Sequence, residues 1–395
     1  MARILMTWEM GAGYGHIAPL LALARPLETA GHEITFAVRD PATAESLLRD
    51  TGFPILQAPA NLNIADGLVL RSFSQILLHT SFNHAEEVVT RARAWRTLFA
   101  TVEPDLLICD HSPGALLAAR GTGLKCTAVG YGFILPPDMH PLPNLRPWND
   151  ADAAAFTRDE SRVLDIVNAA LGVLGAPSLD YVAQLYGSNG QALFTCKELD
   201  IYAAERQSAE YLGPLLYMGG GKRPEWPPGI GRRIFAYIRP FETQPALLET
   251  LRQSGQPTLI HAPHIAPALL ERYAGGNLLF SAEPLDIAAV ARECDLAILH
   301  GGHGILALML LAGKPLLILP LHLEMLLNAS CVLKLGAGLA APQLRPEGIR
   351  HKLGLLLEEP TFGDAARRFA ERYAGLDVEN VAAAFVPRVA QMLAA

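Results

Sequence analysis

The stretch Leu296-Ala297-Ile298-Leu299-His300-Gly301-Gly302-His303-Gly304-Ile305-Leu306-Ala307-Leu308 decides the fold. Four apolar residues read as a buried strand, a glycine turn follows, and an apolar helix begins at once. A junction of this kind belongs to a βαβ unit of a parallel sheet. It leaves backbone N–H groups unpaired at a helix N-terminus, where they and the helix dipole attract phosphate. Residues 296–313 carry no full charge and are long enough to suggest a membrane span. Their two histidines, four glycines and the closing Lys314-Pro315 point instead to strand, turn and core helix.

The same grammar extends on both sides. Strands are expected at 234–238, 258–261, 277–280, 296–300 and 316–319. Helices are expected around 246–253, 266–273, 285–292, 304–311 and 326–335, with a final helical tract from Phe362 to the end. The first half repeats the pattern, with strands at 3–7, 33–38, 105–110 and 125–129. Helical stretches read at 17–29, 41–50, 76–100, 152–174 and 178–186, and Gly31 closes the first of them. Between the halves, Gly213-Pro214, Gly219-Gly220-Gly221, Pro224 and Pro227-Pro228 mark a linker. The expected organisation is a first domain over 1–212, a linker over 213–231, a second domain over 232–375, and a C-terminal helix over 376–395 that packs back on the first domain. The fold class is α/β, with two Rossmann-like, doubly wound domains facing a central cleft.

Composition agrees with that class. The chain has 395 residues, too many for one ordinary core. It is 51% hydrophobic and 18% charged, which suits strands covered on both faces. The net charge of -7 argues against a nucleic-acid partner, which needs a clustered basic face. The five cysteines lie far apart and include no C-x-x-C pair, so they read as buried free thiols in a reducing compartment. The first residues run directly into a strand pattern, so a cytoplasmic location without integral membrane contact is expected.

A second glycine-rich turn follows the first strand, as Gly11-Ala12-Gly13-Tyr14-Gly15-His16. A dinucleotide fingerprint would place glycine where His16 stands, and the substitution spoils the close helix–strand packing that fingerprint needs. His16 therefore stands outside that fingerprint, at the start of the following helix, while Asp110, His111 and Ser112 close a neighbouring strand.

Taken together, His300-Gly301-Gly302, Gly313-Lys314-Pro315, Pro320, Glu324, Asn328-Ala329 and Pro284 resemble the donor-site signature of the UDP-glycosyltransferase superfamily, whose fold is GT-B. His16-Ile17-Ala18-Pro19 is similar to the Gly-His-x-x-Pro element at the front of such chains. The resemblance implies a catalytic pair His16 and Asp110, and a phosphate-binding turn of His300, Gly301, Gly302, His303, Gly304 and Ile305. It implies sugar contacts from Glu324 and Met325, and a nucleobase site flanked by Glu283 and Leu285. It further implies an inverting, metal-independent transfer from a nucleotide-sugar co-substrate to a small hydrophobic acceptor, with no resident cofactor.

The chain departs from that pattern at four places. Ile305 replaces a hydroxyl residue, Leu308 stands where many members have a ribose-binding glutamate, and Met325 replaces glutamine. Ala282 and Leu285 replace the base-site Trp and Gln. Loss of the ribose carboxylate lowers the preference for UDP and is compatible with dTDP, so the donor is read as dTDP or UDP, and loss of the amide suggests a less hydroxylated sugar such as a deoxysugar. Tyr14, Phe73, Phe82, Phe133 and Trp148, on the variable segments 61–82 and 131–148 and the first turn, are either an acceptor wall or ordinary core aromatics. A transferase acting on a lipid-linked precursor and a catalytically silent auxiliary protein remain as alternatives, and homodimerisation is left open.

Overall fold

The computed structural model describes residues 1–61, 70–148, 152–187, 190–216 and 220–394. The chain forms two compact units, one of residues 1–215 with 380–395 and the other of residues 216–379.

The first unit holds strands β1 (Arg3–Trp8), β2 (Glu33–Val38), β3 (Ile55–Gln57), β4 (Leu106–Asp110), β5 (Lys125–Gly130) and β6 (Gln191–Leu193). All pairings are parallel, in the order β3-β2-β1-β4-β5-β6. Helices α1 (Tyr14–Thr29), α2 (Pro41–Leu48), α3 (Phe73–Thr80), α4 (Ala85–Val102), α5 (Pro113–Ala119) and α6 (Ala153–Val173) cover it. The second unit repeats the plan with β7 (Ile234–Tyr237), β8 (Thr258–His261), β9 (Leu278–Ser281), β10 (Leu296–Leu299), β11 (Leu316–Ile318) and β12 (Gly338–Ala340). Their order is β12-β11-β10-β7-β8-β9, again parallel. Helices α7 (Gln244–Ser254), α8 (Pro267–Tyr273), α9 (Ile287–Glu293), α10 (His303–Leu311), α11 (Leu323–Leu335), α12 (Pro346–Glu358) and α13 (Thr361–Arg372) flank this sheet. The central strands β10 and β11 are apolar throughout because helices bury both faces, and every residue of the two is buried.

Both sheets reverse direction in strand order at one place, between β1 and β4 and between β7 and β10. In open parallel sheets the crevice at that reversal is where ligands bind, outside the carboxyl ends of the strands.

Three expected helices are revised. The tract 76–100 is two helices broken at 81–84. Arg91 donates to the Ser81 carbonyl across the break, and Glu86 and Glu87 supply the charge favoured in the first turn of α4. The stretch 178–186 is helical only as a short 3₁₀ turn, Val182–Tyr186. Its first residues are held extended because the Asn168 side chain bonds both Leu179 N at 2.8 Å and Leu179 O at 2.9 Å. The final tract divides into α13 and α14 (Val381–Ala394). The latter packs against α1, with Phe385 edge-on to Phe194 at 5.2 Å and Lys125 Nζ donating to Leu393 O at 2.8 Å. Lys222, in the glycine- and proline-rich stretch, donates its N–H to Pro284 O at 2.8 Å and accepts from Asp286 N at 2.9 Å, all within the second unit. Among the described residues, no helix is long and apolar enough to cross a membrane.

Candidate active site in two strand-end corners

The first corner stands at the reversal of the first sheet. Trp8 and Asp110 are register partners at the ends of β1 and β4, so the loop after β1 must pass over Asp110. That loop leads into α1, whose third residue is His16. His16 Nδ1 lies 2.6 Å from Asp110 Oδ1, with both side chains buried. The His16 ring stacks on Trp8 with centroids 5.5 Å apart and planes 17° apart, which fixes its orientation. Nε2 therefore points away from the carboxylate, toward Gly11. A Cβ at residue 11 would sit 2.2 Å from Nε2, and Gly11 has φ +85°. Only glycine fits this close to that nitrogen while making this turn.

Behind the pair lies a carboxyl group that the sequence reading passed over. Glu9 follows β1, is 1% exposed, and accepts from Gly114 N at 2.7 Å. Burial pushes its pKa up to about 7, against the hydrogen bond from Gly114 and the attraction of Arg91 and Arg39. Its position immediately after a central strand was the available signal.

The second corner stands at the reversal of the second sheet. Gly301 has φ +102°, and a Cβ there would meet Ile318 Cγ2 and Met325 O, each at 3.0 Å. Asn328 Nδ2 donates to Gly301 O at 2.9 Å, so α11 clamps the turn that starts α10. Gly302 is the N-cap and His303 the first residue of α10, with Gly304 and Ile305 next and no side-chain cap over their amides. His303 is buried, and burial pushes its pKa down to about 4. Glu324 lies in the first turn of α11, partly exposed, and Met325 beside it is buried. Leu285 is buried and Glu283 exposed, on the segment between β9 and α9.

His300 is placed differently from what the family resemblance implies. Its Nε2 accepts from Arg239 N at 2.8 Å, so the ring hydrogen is on Nδ1, which donates to Leu319 O at 2.7 Å. Burial lowers its pKa, as do the nearby Arg239 and His322 charges. The neutral ring ties the loop after β7 to the ends of β10 and β11, and has no N–H left for a phosphate. Arg239, two residues past β7 and exposed, was absent from the sequence reading; its place at the switch point was the clue.

The expected acceptor wall is only partly assembled. Phe73 and Phe82 are fully buried core residues, 0% and 1% exposed, though Phe73 stacks on His111 with centroids 6.3 Å apart. Phe133 is half-buried, and Tyr14 and Trp148 are each 49% exposed. The Tyr14 hydroxyl accepts from Ser46 Oγ at 3.2 Å. Residues 62–69 of the first candidate segment lie outside the described residues.

No family model matches the chain. A curated relative from Mycobacterium tuberculosis (strain ATCC 25177 / H37Ra), a PGL/p-HBAD biosynthesis glycosyltransferase, is 24% identical over 401 residues, covering 94% of this chain and 88% of its own length. An uncharacterized glycosyltransferase from Methanosarcina mazei is also 24% identical, covering 94% of this chain and 96% of its own length. Among solved structures, the calicheamicin glycosyltransferase CalG4 superposes with a TM-score of 0.71 at 20% identity, covering 100% of this chain and 98% of its own. Glycosyltransferase VinC in complex with dTDP gives 0.69 at 19% identity, covering 98% and 99%. The spinosyn rhamnosyltransferase SpnG complexed with spinosyn aglycone gives 0.69 at 17%, covering 99% and 100%. The architecture of two six-stranded parallel sheets is the GT-B fold. The chain is thus similar over nearly its whole length to curated glycosyltransferases and shares the GT-B fold of the solved ones.

Proposed function

We propose that this protein is an inverting glycosyltransferase, moving a sugar from a nucleoside-diphosphate donor to a hydroxyl of a small, largely apolar acceptor. The observation that carries this reading is the His16–Asp110 pair at 2.6 Å, set at the switch point of the first sheet with Nε2 facing Gly11. Nε2 takes the proton of the acceptor hydroxyl as its oxygen attacks the anomeric carbon. Asp110 holds the tautomer with hydrogen on Nδ1 and stabilises the imidazolium that forms. The diphosphate leaves from the opposite face, which inverts the carbon in a single displacement that needs no metal or resident cofactor.

In the second unit, charge on the departing diphosphate is met by the uncapped amides at the start of α10 and by the Arg239 guanidinium, with His300 as the strut between their loops. Glu324 accepts hydroxyl protons of the sugar. Leu308 presents hydrocarbon where a ribose-binding carboxylate would favour UDP, Ile305 offers no hydroxyl to the phosphates, and Met325 offers no amide to the sugar. These substitutions support dTDP as the nucleotide and a deoxysugar as its cargo. A solved neighbour with dTDP bound, another with spinosyn aglycone, and relatives named for PGL/p-HBAD biosynthesis support a natural-product type of acceptor.

The test is a mass-spectrometric transfer screen with UDP-glucose, dTDP-glucose and dTDP-rhamnose against phenolic and polyketide acceptors, run on wild type and His16→Ala. Product from the wild type and none from the variant is expected. Equal turnover by both removes the base assignment. UDP-glucose binding much better than dTDP-rhamnose in saturation-transfer NMR removes the donor assignment. The substituted positions Ile305, Leu308 and Met325 favour one second reading, a silent auxiliary that binds and activates another transferase. In that case the wild type alone gives no product in any combination.

A further inference from the structure

Three unfavourable features meet in the residue that follows Asp110. His111 is 5% exposed, and neither ring nitrogen has a hydrogen-bond partner among the described residues. Its φ is 44°, in the left-handed region. A buried polar ring without partners forfeits its hydration uncompensated. Positive φ outside glycine is strain, and such strain persists where the surroundings enforce it, often at functional sites. Here the enforcement is visible, because His111 O accepts from Met10 N at 3.1 Å and so ties the residue to the loop that carries His16.

The ring has few polar neighbours and a definite place. Its centroid is 5.6 Å from that of His16 and 6.3 Å from that of Phe73. Phe73 meets Tyr186 edge-on at 5.7 Å. The Tyr186 hydroxyl and the Ser74 hydroxyl, next to Phe73, are likewise buried without partners among the described residues. Among the described residues, the unpartnered His111 nitrogens thus lie beside His16 and against the Phe73 ring, which in turn meets the ring of Tyr186. The core of an ordinary Rossmann unit has no use for them, but a substrate bearing oxygen functions does.

We propose that His111 is an acceptor-positioning residue, whose imidazole hydrogen-bonds a second oxygen function of the same acceptor whose first hydroxyl is presented to His16. This rests on the reading of His16 as base and narrows the acceptor class to molecules with at least two oxygen functions on a compact, mostly apolar frame. The two rings lie 5.6 Å apart between centroids, within the span of one compact acceptor. Burial holds the His111 ring neutral, well below the usual range. A neutral ring has one donor and one acceptor nitrogen, so it can pair with a hydroxyl or a carbonyl. Phe73, which the sequence left open as acceptor wall or core, backs the His111 ring.

The test uses the full chain with phenol, resorcinol and hydroquinone as probes, titrated while the histidine ring nitrogens are followed by nitrogen-15 NMR. Resorcinol or hydroquinone is expected to bind the wild type at least tenfold more tightly than phenol and to shift the His111 ring signals. His111→Phe keeps a planar ring without nitrogens and should lose that discrimination. His111→Asn tolerates positive φ and keeps a polar group, so it should retain part of the discrimination. Thermal melts establish that both variants are folded; if the Phe variant is not, the Asn variant and the wild-type ring shifts decide. Equal affinity of the three probes for the wild type, binding of none, unmoved His111 signals, or undiminished discrimination in the variants each overturn the proposal. Transfer that survives His16→Ala while probe discrimination stays dependent on His111 would remove the base assignment and leave the binding role standing.

Discussion

His16 Nδ1 lies 2.6 Å from Asp110 Oδ1, and the two residues are brought together by adjacent parallel strands whose ends, Trp8 and Asp110, are in register. The pair is short, buried and backed by the Trp8 ring, so each partner depends on the other for its role. His16→Ala removes the base and should lower kcat by roughly 10²–10⁴-fold. Asp110→Asn should lower kcat by a comparable amount with little change in acceptor KM, because an amide neither selects the tautomer nor stabilises the imidazolium. Steady-state kinetics on the best donor and acceptor from the transfer screen measure both; an Asp110→Asn enzyme with near-wild-type kcat would refute the positioning role.

Gly11 sets the access to that base. Alanine at this position carries two penalties, a strained φ of +85° and a methyl 2.2 Å from Nε2. Gly11→Ala should therefore displace the His16 ring from its place on Trp8 and reduce kcat by at least tenfold. The expected loss of stability is about 1–3 kcal/mol. Denaturant titration and kinetics on the same preparation check the two effects. Gly15→Ala is the control, since a Cβ there meets nothing within 4 Å, and it should be near neutral in both.

On the donor side, the arrangement of His300 separates two roles that a motif match merges. The ring holds the Arg239 amide and the Leu319 carbonyl, while the Arg239 side chain is free to answer the phosphate. Arg239→Ala should weaken donor binding by about tenfold with little change in melting temperature, and should reduce the salt dependence of binding. His300→Ala should lower the melting temperature as well, since it leaves the part-buried Arg239 amide and the buried Leu319 carbonyl without this partner. Calorimetric titration with dTDP and thermal melts distinguish the variants. A stable, full-length His300→Ala protein that has lost donor binding while Arg239→Ala keeps it would reverse the assignment.

Much of this was legible from the residues. Strands β1, β2, β4, β5, β7, β8, β9, β10 and β11 lie in apolar runs or alternations, and the glycine turns after β1 and β10 mark both corners. The edge strands β3, β6 and β12 are three residues each and stand in no longer apolar run that would announce them. Helix α12 was in principle readable, since Pro346 and Glu347 begin it and Ile349, Leu353 and Leu356 form its buried stripe. The dyad could be found because a histidine after a glycine turn and an aspartate at a strand end are local signals. The lock on His300 could not, because its partners are 61 and 19 residues away and only the sheet order brings them together. The burial of Phe73 and Phe82 was open for a related reason: an aromatic residue in an amphipathic stretch carries no mark that distinguishes core from ligand wall.

Glu9 yields the last expectation, a stability that falls as pH rises. Its carboxyl has a folded-state pKa of about 7 against an ordinary 4.5, the upward shift being caused by burial. Below the ordinary value both the folded and unfolded chains hold the proton, and Glu9 contributes nothing to the pH dependence. Between the two values the unfolded chain releases the proton and the folded chain keeps it, so stability is progressively lost. Above about 7 the folded chain buries an anion and the loss levels off, at an upper bound of about 3 kcal/mol. Glu9→Gln keeps an oxygen for Gly114 N and has no proton to lose. It should melt at a higher temperature than the wild type at alkaline pH, with the difference shrinking toward acid. Thermal melts at several pH values on both proteins give the answer, and parallel curves for the two would show that Glu9 does not titrate in this window.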